Sequence, residues 1–293
     1  MEIELRQVSK RFARTTALRG VDLTIARGAR VALLGPNGSG KTTLTRAIMG
    51  LLRTEGSILI DGRPLTDRMT IAPRLAYVPQ IAPQMAAAVD EIVGVVCELR
   101  GLAPAAVAEI AADLGLDLAA VRGRALRNLS GGMRQKLLLA IALATPAELL
   151  ILDEPTASLD AAARARFLAR FAAIASGATV ILCSHRLDEL RSLVDHVVVL
   201  SDGTVAHDGP AAAYLSERLA AVIEVRCRDG APPWLAQHGF ARGVGGWWSR
   251  AVTPAEKLTL VPAALAALGG EVDDLVVRDA DRLELTPEVR HVA

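Results

Sequence analysis

The chain opens on alternation. Residues 2–8, Glu-Ile-Glu-Leu-Arg-Gln-Val, switch between polar and apolar at nearly every step, the period of a strand buried on one face. Ala17 to Ile25 reads as a second strand around Gly20. Arg30-Val31-Ala32-Leu33-Leu34 is a short apolar run, the mark of a buried strand, and Leu44 to Met49 beyond it reads as a helix. Gly56 to Gly62 reads as a strand ending in a turn, and Leu75 to Val78 as another.

From residue 84 the texture changes. Alanine, leucine and glutamate dominate, with helical spacing across Val89–Leu99 and Val107–Leu114, and Pro104 is placed to start the second helix. Ser130 is a natural N-cap for a helix continuing through Lys136 to Ala144. Leu149 to Glu154 then reads as a buried parallel strand, Ala161 to Ala175 as a helix and Ala178 to Cys183 as a strand. Val197–Leu200 and Thr204–Ala206 form a hairpin turning at Asp202-Gly203. Strands alternating with helices predict an α/β domain over residues 1–215, with an inserted helical subdomain at about 84–144.

A second unit is expected over residues 217–293. Ala221–Cys227, Val244–Val252 and Val272–Val277 read as strands, with helices at Pro232–His238 and Pro254–Leu268. That order suggests a small accessory α+β domain of ferredoxin-like kind. All 3 tryptophans fall in it, so its core differs from that of the first domain. Trp247 and Trp248 are adjacent and must point to opposite faces of a strand, one into the core and one outward.

Charge narrows the partners. The 33 basic and 32 acidic residues give a net charge of +1, and the tail carries no basic stripe, so nucleic acid is not expected as a partner. The hydrophobic fraction is 52%, but no run reaches the length of a bilayer span. The longest apolar stretch, Leu137 to Leu152, is broken by Thr145, Pro146 and Glu148. The N-terminal residues lack the basic and apolar regions of a signal peptide. The expectation is a cytosolic chain whose membrane work, if any, belongs to a partner. Cys97, Cys183 and Cys227 have no pairing or metal spacing, which suits a reducing compartment.

The chemistry begins between the strand at 30–34 and the helix at 44–49. Gly35-Pro36-Asn37-Gly38-Ser39-Gly40-Lys41-Thr42-Thr43 fits the phosphate-binding pattern G-x-x-x-x-G-K-[ST] in the strand–turn–helix setting it needs. The glycines let the backbone approach phosphate, and the helix N-terminus adds partial positive charge. Lys41 is expected between the β- and γ-phosphates, the Thr42 hydroxyl on Mg²⁺, and Thr43 at the α-phosphate. Phe12, flanked by Lys10, Arg11 and Arg14, is the one aromatic before this loop and is placed to stack on a base. Asp153 and Glu154 stand at a strand's carboxyl end, where one carboxylate holds a metal-bound water and the next polarises an attacking water. Ser130, Gly131 and Gly132 offer exposed N–H groups to an anion, and His185 sits just past the end of a neighbouring strand.

Together these motifs resemble the ATP-binding cassette family over roughly residues 1–215. The phosphate loop carries the resemblance, with Leu129-Ser130-Gly131-Gly132-Met133-Arg134-Gln135-Lys136, which is similar to the signature LSGGxxQ+. Gln80 matches the Q-loop, Asp153 and Glu154 the Walker B pair, Ser158-Leu159-Asp160 the D-loop, His185 the switch histidine and Phe12 the base-stacking aromatic. The resemblance implies a P-loop NTPase cassette with ATP and Mg²⁺ as cofactors. It implies two cassettes packed head to tail, so that Ser130, Gly131 and Gly132 contact the γ-phosphate held by the opposite subunit. Glu154 would polarise the water, Asp153, Gln80 and Thr42 would hold Mg²⁺, and His185 would bind the γ-phosphate.

A single cassette without a membrane span implies a homodimer working with separate integral-membrane permease subunits, at the cytoplasmic face of the membrane. LSGGM, the short helical insertion and the tail look most like cassettes of ABC-2-type exporters, of the drug-resistance, sodium-export and copper-maturation kinds. A soluble cassette ATPase of DNA repair or translation is the competing reading, but it lacks here the long coiled coil or the second cassette. Intact Lys41, Asp153, Glu154 and His185 speak against a scaffold without turnover.

Overall fold

A computed structural model describes residues 1–174, 177–184, 186–217, 221–227, 233–242 and 246–279. In chain order the elements are β1 (Ile3–Phe12), β2 (Thr15–Ile25), β3 (Arg30–Leu34), α1 (Lys41–Ile48), β4 (Glu55–Ile60), β5 (Arg63–Pro64) and β6 (Leu75–Val78). Next come α2 (Val89–Arg100), α3 (Pro104–Asp113), α4 (Leu118–Val121), α5 (Gly131–Ala144), β7 (Leu149–Asp153), α6 (Ala161–Ile174) and β8 (Thr179–Cys183). Then follow α7 (Leu187–Leu193), β9 (His196–Ser201), β10 (Thr204–Pro210) and α8 (Ala211–Glu217). The chain finishes with β11 (Ala221–Cys227), α9 (Pro233–Gln237), β12 (Ala241–Arg242), β13 (Trp247–Val252), α10 (Pro254–Leu268) and β14 (Val272–Asp279). The described residues divide into two compact units, residues 1–184 with 192–209, and residues 186–191 with 210–279. α8 groups with the second unit, a few residues before the break expected from sequence.

The first unit holds two sheets. One is antiparallel, in the order β2-β1-β4-β5, and the other is six-stranded, in the order β10-β9-β3-β8-β7-β6. In the larger sheet β6, β7, β8, β3 and β9 run parallel. Its central strands are buried on both faces, which is why they read as unbroken apolar runs rather than alternations. Leu149 and Ile151 of β7 and Ile181 and Cys183 of β8 join the apolar cluster that includes Leu44, Ala47 and Ile48 of α1 and the antiparallel sheet. Leu150, Leu152, Val180 and Leu182 point the other way, into a cluster with Val93, Val107, Leu137 and Phe167 from the helices. The helical insertion therefore shares its core with one face of the sheet, a continuity its alanine-rich sequence does not reveal.

The second unit has one four-stranded antiparallel sheet, in the order β12-β13-β11-β14. Its element order is β-α-β-β-α-β, the split arrangement of ferredoxin-like folds. The sequence pattern missed β12, whose two residues are too short for any alternation to show. Trp248 is buried with Ile223, Val225, Leu235 and Ala264. Trp247 takes the other face, where the Arg226 guanidinium lies 5.3 Å from its ring centroid. The opposite placement of the two tryptophans is the one their adjacency requires.

Candidate nucleotide site

Parallel register gathers the site. Leu152 pairs with Leu182 and Val78, and Asp153 with Cys183, while Ala32 of β3 pairs with Leu182 on the far side of β8. The loop after Leu34, the Asp153-Glu154 pair, Ser184 and Gln80 consequently leave the sheet at one carboxyl edge. In open α/β sheets that edge is where ligands bind.

The loop itself is shaped by what it excludes. A Cβ on Gly35 would stand 2.3 Å from the Leu200 carbonyl oxygen and 2.5 Å from Ser39 Oγ, and one on Gly40 would stand 2.5 Å from the Ala17 carbonyl oxygen. Both glycines have left-handed φ, +145° and +107°. Gly40 caps α1 without any side chain reaching back, which leaves the first-turn N–H groups open to a ligand. Ser39 Oγ is buried and has no hydrogen-bond partner among the described residues. Asn37 and Gly38 are exposed on the crest, Thr42 is exposed, and Thr43 is half-buried. This is a cradle rich in donors and poor in acceptors, the composition a polyphosphate needs.

Lys41 Nζ donates to the carbonyls of Gly35 at 2.6 Å and Pro36 at 3.0 Å, folded onto its own loop. Burial pushes its pKa down, opposed by the nearby Asp153 and Glu154. Asp153 is 9% exposed, and burial pushes its carboxyl above the ordinary range despite Lys41 and Arg46. Beside it Cys183 is fully buried and its thiol is pushed far up, so the floor of the site is poorly solvated. The strand predicted to run through Glu154 ends instead at Asp153. Glu154 has a left-handed φ of +48°, and its N–H donates to the Cys183 carbonyl at 2.7 Å. A non-glycine residue held there costs about 1–3 kcal/mol, and such strain concentrates at functional sites. The buried Asp153 and the turned Glu154 thus present two carboxylates in different environments.

Phe12 ends β1 with 44% of its surface exposed and Lys10 Nζ 5.2 Å from its ring centroid. It pairs with Thr15 at the start of the strand whose Ala17 abuts Gly40, so the hairpin brings the aromatic toward the loop. Gln80 is exposed two residues past the end of β6. His185 lies outside the described residues.

The signature residues belong to a different place. Ser130 caps α5, its Oγ accepting from the Met133 N–H at 3.2 Å, and Ser130 and Gly131 are exposed. Among the described residues no hydrogen bond or ion pair joins Ser130, Gly131 or Gly132 to the phosphate loop. Their neighbours are those of the Asp160 loop. Gly132 has no room for a Cβ, which would stand 2.9 Å from the Ser158 carbonyl oxygen. Asp160 caps α6 by accepting from the Ala163 N–H at 2.7 Å and also accepts from Lys136 Nζ at 3.1 Å. Gln135, nearly fully buried, donates to the Pro155 carbonyl at 3.0 Å. The sequence reading passed over Gln135 and Lys136 as site residues, although their three- and four-residue spacing from Gly132 puts all three on one helix face.

Residues 18–157 match the family model described as ABC transporter. Among curated proteins, the chain is similar to a sulfate/thiosulfate import ATP-binding protein CysA of Caulobacter vibrioides, 36% identical over 73% of this chain and 69% of that protein. It is also similar to a Nod factor export ATP-binding protein I of Cupriavidus pinatubonensis, 36% identical over 71% of this chain and 66% of that one. Among solved structures, an ATP binding subunit of an ABC transporter superposes with a TM-score of 0.64 at 27% identity, over 72% of this chain and 90% of that chain.

Proposed function

Since this chain belongs to the ATP-binding subunits of ABC transporters, which are ATPases that use ATP with Mg²⁺, we propose that it powers an ABC-2-type exporter as a head-to-tail homodimer. The exporter reading rests on the LSGGM signature, the short helical insertion and the second unit after the cassette. The observation that carries the catalytic part is the convergence of the phosphate-binding loop after β3 with Asp153 and Glu154 after β7 at the carboxyl edge of one parallel sheet.

In this reading the Gly35–Thr43 backbone binds the phosphates, and Lys41 turns from its loop carbonyls to the γ-phosphate. Thr42, Asp153 and Gln80 would hold Mg²⁺, which neutralises charge on the transferring phosphoryl group. Glu154 orients and polarises the water, and His185 holds the γ-phosphate oxygens. Phe12 stacks on the adenine. Ser130, Gly131, Gly132 and Asp160 face the nucleotide of the opposite subunit, consistent with their separation from the loop of their own chain. Positioning and charge neutralisation supply the rate.

The permease is expected beside Gln80, with the subunit at the cytoplasmic face of the membrane. Ile81, next to Gln80, is 79% exposed, an apolar side chain open to a partner there. No helix among the described residues is long and apolar enough to cross a membrane.

Glu154→Gln tests the catalytic assignment. ATP binding should persist and turnover should fall by about 10²–10³-fold, the usual cost of losing one preorganised transition-state contact. Turnover like the wild type in Glu154→Gln would remove Glu154 from the role. The dimer is tested by dilution, since turnover per subunit must drop as protein is diluted if each site needs two chains.

A further inference from the structure

The first two turns of α5 are fastened to the loop between β7 and α6 by three contacts. Gly132 packs directly on the Ser158 carbonyl, Gln135 donates to the Pro155 carbonyl, and Lys136 donates to Asp160. The Lys136 side chain is only 14% exposed, whereas Asp160 is 61% exposed. The fastened loop begins one residue after Glu154 and ends at the cap of α6. Asp160 is therefore shared: one oxygen caps α6, and the other receives Lys136.

We infer that Lys136 and Gln135 are positioning residues that make the signature turn and the Glu154–Asp160 loop move as one piece. The inference rests on the site roles proposed above. In a head-to-tail dimer the signature of one chain grips the nucleotide of its partner, while Glu154 of that chain serves its own nucleotide. A rigid tie between the two passes the state of one site to the other through a path of three contacts inside a single chain. Lys136 touches no nucleotide in this scheme; it acts through Asp160 and the backbone that carries Glu154.

The test is a double-mutant cycle on the full chain with Mg²⁺ and ATP. Lys136→Met keeps the aliphatic stem and removes the donor, Lys136→Arg keeps the charge, and Asp160→Asn keeps the helix cap while removing the negative charge. Lys136→Met should lower kcat about tenfold, because small misplacements of a reacting group are costly. KM for ATP should stay within about twofold. The melting temperature should stay within about 1 °C, because a partly exposed ion pair adds little to stability. Lys136→Arg should recover most of the rate, and Asp160→Asn should cost less on the Lys136→Met background than in the wild-type chain, the remainder being its own contact with the partner's nucleotide. Wild-type kcat in Lys136→Met, losses that multiply across the cycle, or a melting temperature that falls in step with kcat would each overturn the inference. Failure of the head-to-tail reading shows separately, as a turnover per subunit that ignores dilution.

Discussion

The two edges of the six-stranded sheet are built on opposite terms. At the amino edge Arg74, just before β6, forks onto both oxygens of Glu148, just before β7, at 2.7 Å each. The same guanidinium reaches Asp61 at the end of β4, which also accepts from Arg27 at 2.7 Å and from the Glu2 N–H at 2.9 Å. This set ties the antiparallel sheet to the larger one with each charge answered. At the carboxyl edge Ser39 Oγ has no partner among the described residues, Asp153 is buried with its carboxyl pushed up, Lys41 is held by loop carbonyls, and Glu154 occupies a strained backbone region. One end of the sheet thus holds paired charges, and the other a raised buried carboxyl and a strained turn beside the phosphate-binding loop. Stability and readiness are separated along the length of a strand of five residues, β7.

Asp153→Asn breaks this contrast most sharply. It removes a buried charge that nothing in the nucleotide-free site fully compensates. Turnover should fall by about 10²–10³-fold, because the carboxylate expected on Mg²⁺ is gone. The melting temperature without nucleotide should rise by about 2–4 °C, the shift that roughly 1 kcal/mol gives in a chain of this size. Thermal denaturation with and without Mg²⁺ and ATP, beside a turnover assay, reads both. A variant that loses turnover and stability together would show that Asp153 is a structural group and that the edges do not differ in kind.

The sequence made the carboxyl edge more legible than the amino edge, for a physical reason. Phosphate binding needs glycines and a lysine at fixed offsets in one short segment, so Gly35 to Thr43 can be read locally. Asp153 and Glu154 follow an unbroken apolar run that both faces of a central strand demand. The Arg74–Glu148–Asp61 network joins residues far apart in the chain, each an ordinary surface charge by itself, and only register brings them together. The same holds for Lys136 and Asp160. β12 was missed because two residues carry no period, whereas α10 was read to the residue, its start marked by Pro254 at the first helical position and by the capping box of Thr253 and Glu256. The left-handed turn at Glu154 has no local signal, because glycine or asparagine is what such a conformation ordinarily selects.

Arg74→Met tests the other edge, with a smaller effect. Three carboxylate contacts are lost, but the arginine side chain is 33% exposed and Glu148 44%, so solvent screens much of the attraction. A loss of about 1–2 kcal/mol is expected, between a buried charged hydrogen bond and a surface pair. ATP affinity and turnover per folded molecule should not change, because the network lies at the far end of the strands. Denaturant titration reads the first and a saturation curve the second. A change in KM for ATP would mean that the two edges communicate through the sheet.

The smallest effect is the dependence of these differences on pH, and its sign follows from the shifts. The hydrogen bond from Arg74 holds Glu148 below the ordinary carboxylate range. Burial alone would raise Asp61, but the Glu2 N–H, Arg74 and Arg27 hold it below as well. A group depressed by folding contributes stability that is present above its unfolded pKa and lost as pH falls through its folded one. Asp153 is raised by burial, so its charge costs stability above its folded pKa, and that cost disappears on acidification as it protonates. At pH 7 the wild type should therefore melt above Arg74→Met and below Asp153→Asn. Below about pH 4, the ordinary carboxylate range, both gaps should close from opposite sides. The Asp153→Asn gap should begin to close at the higher pH, because its carboxyl takes up a proton before Glu148 or Asp61 does. Melting temperatures of the three proteins from pH 7 downward decide the matter. If the Arg74→Met gap closes first, burial does not govern Asp153, and the two edges differ only in how many charges they hold.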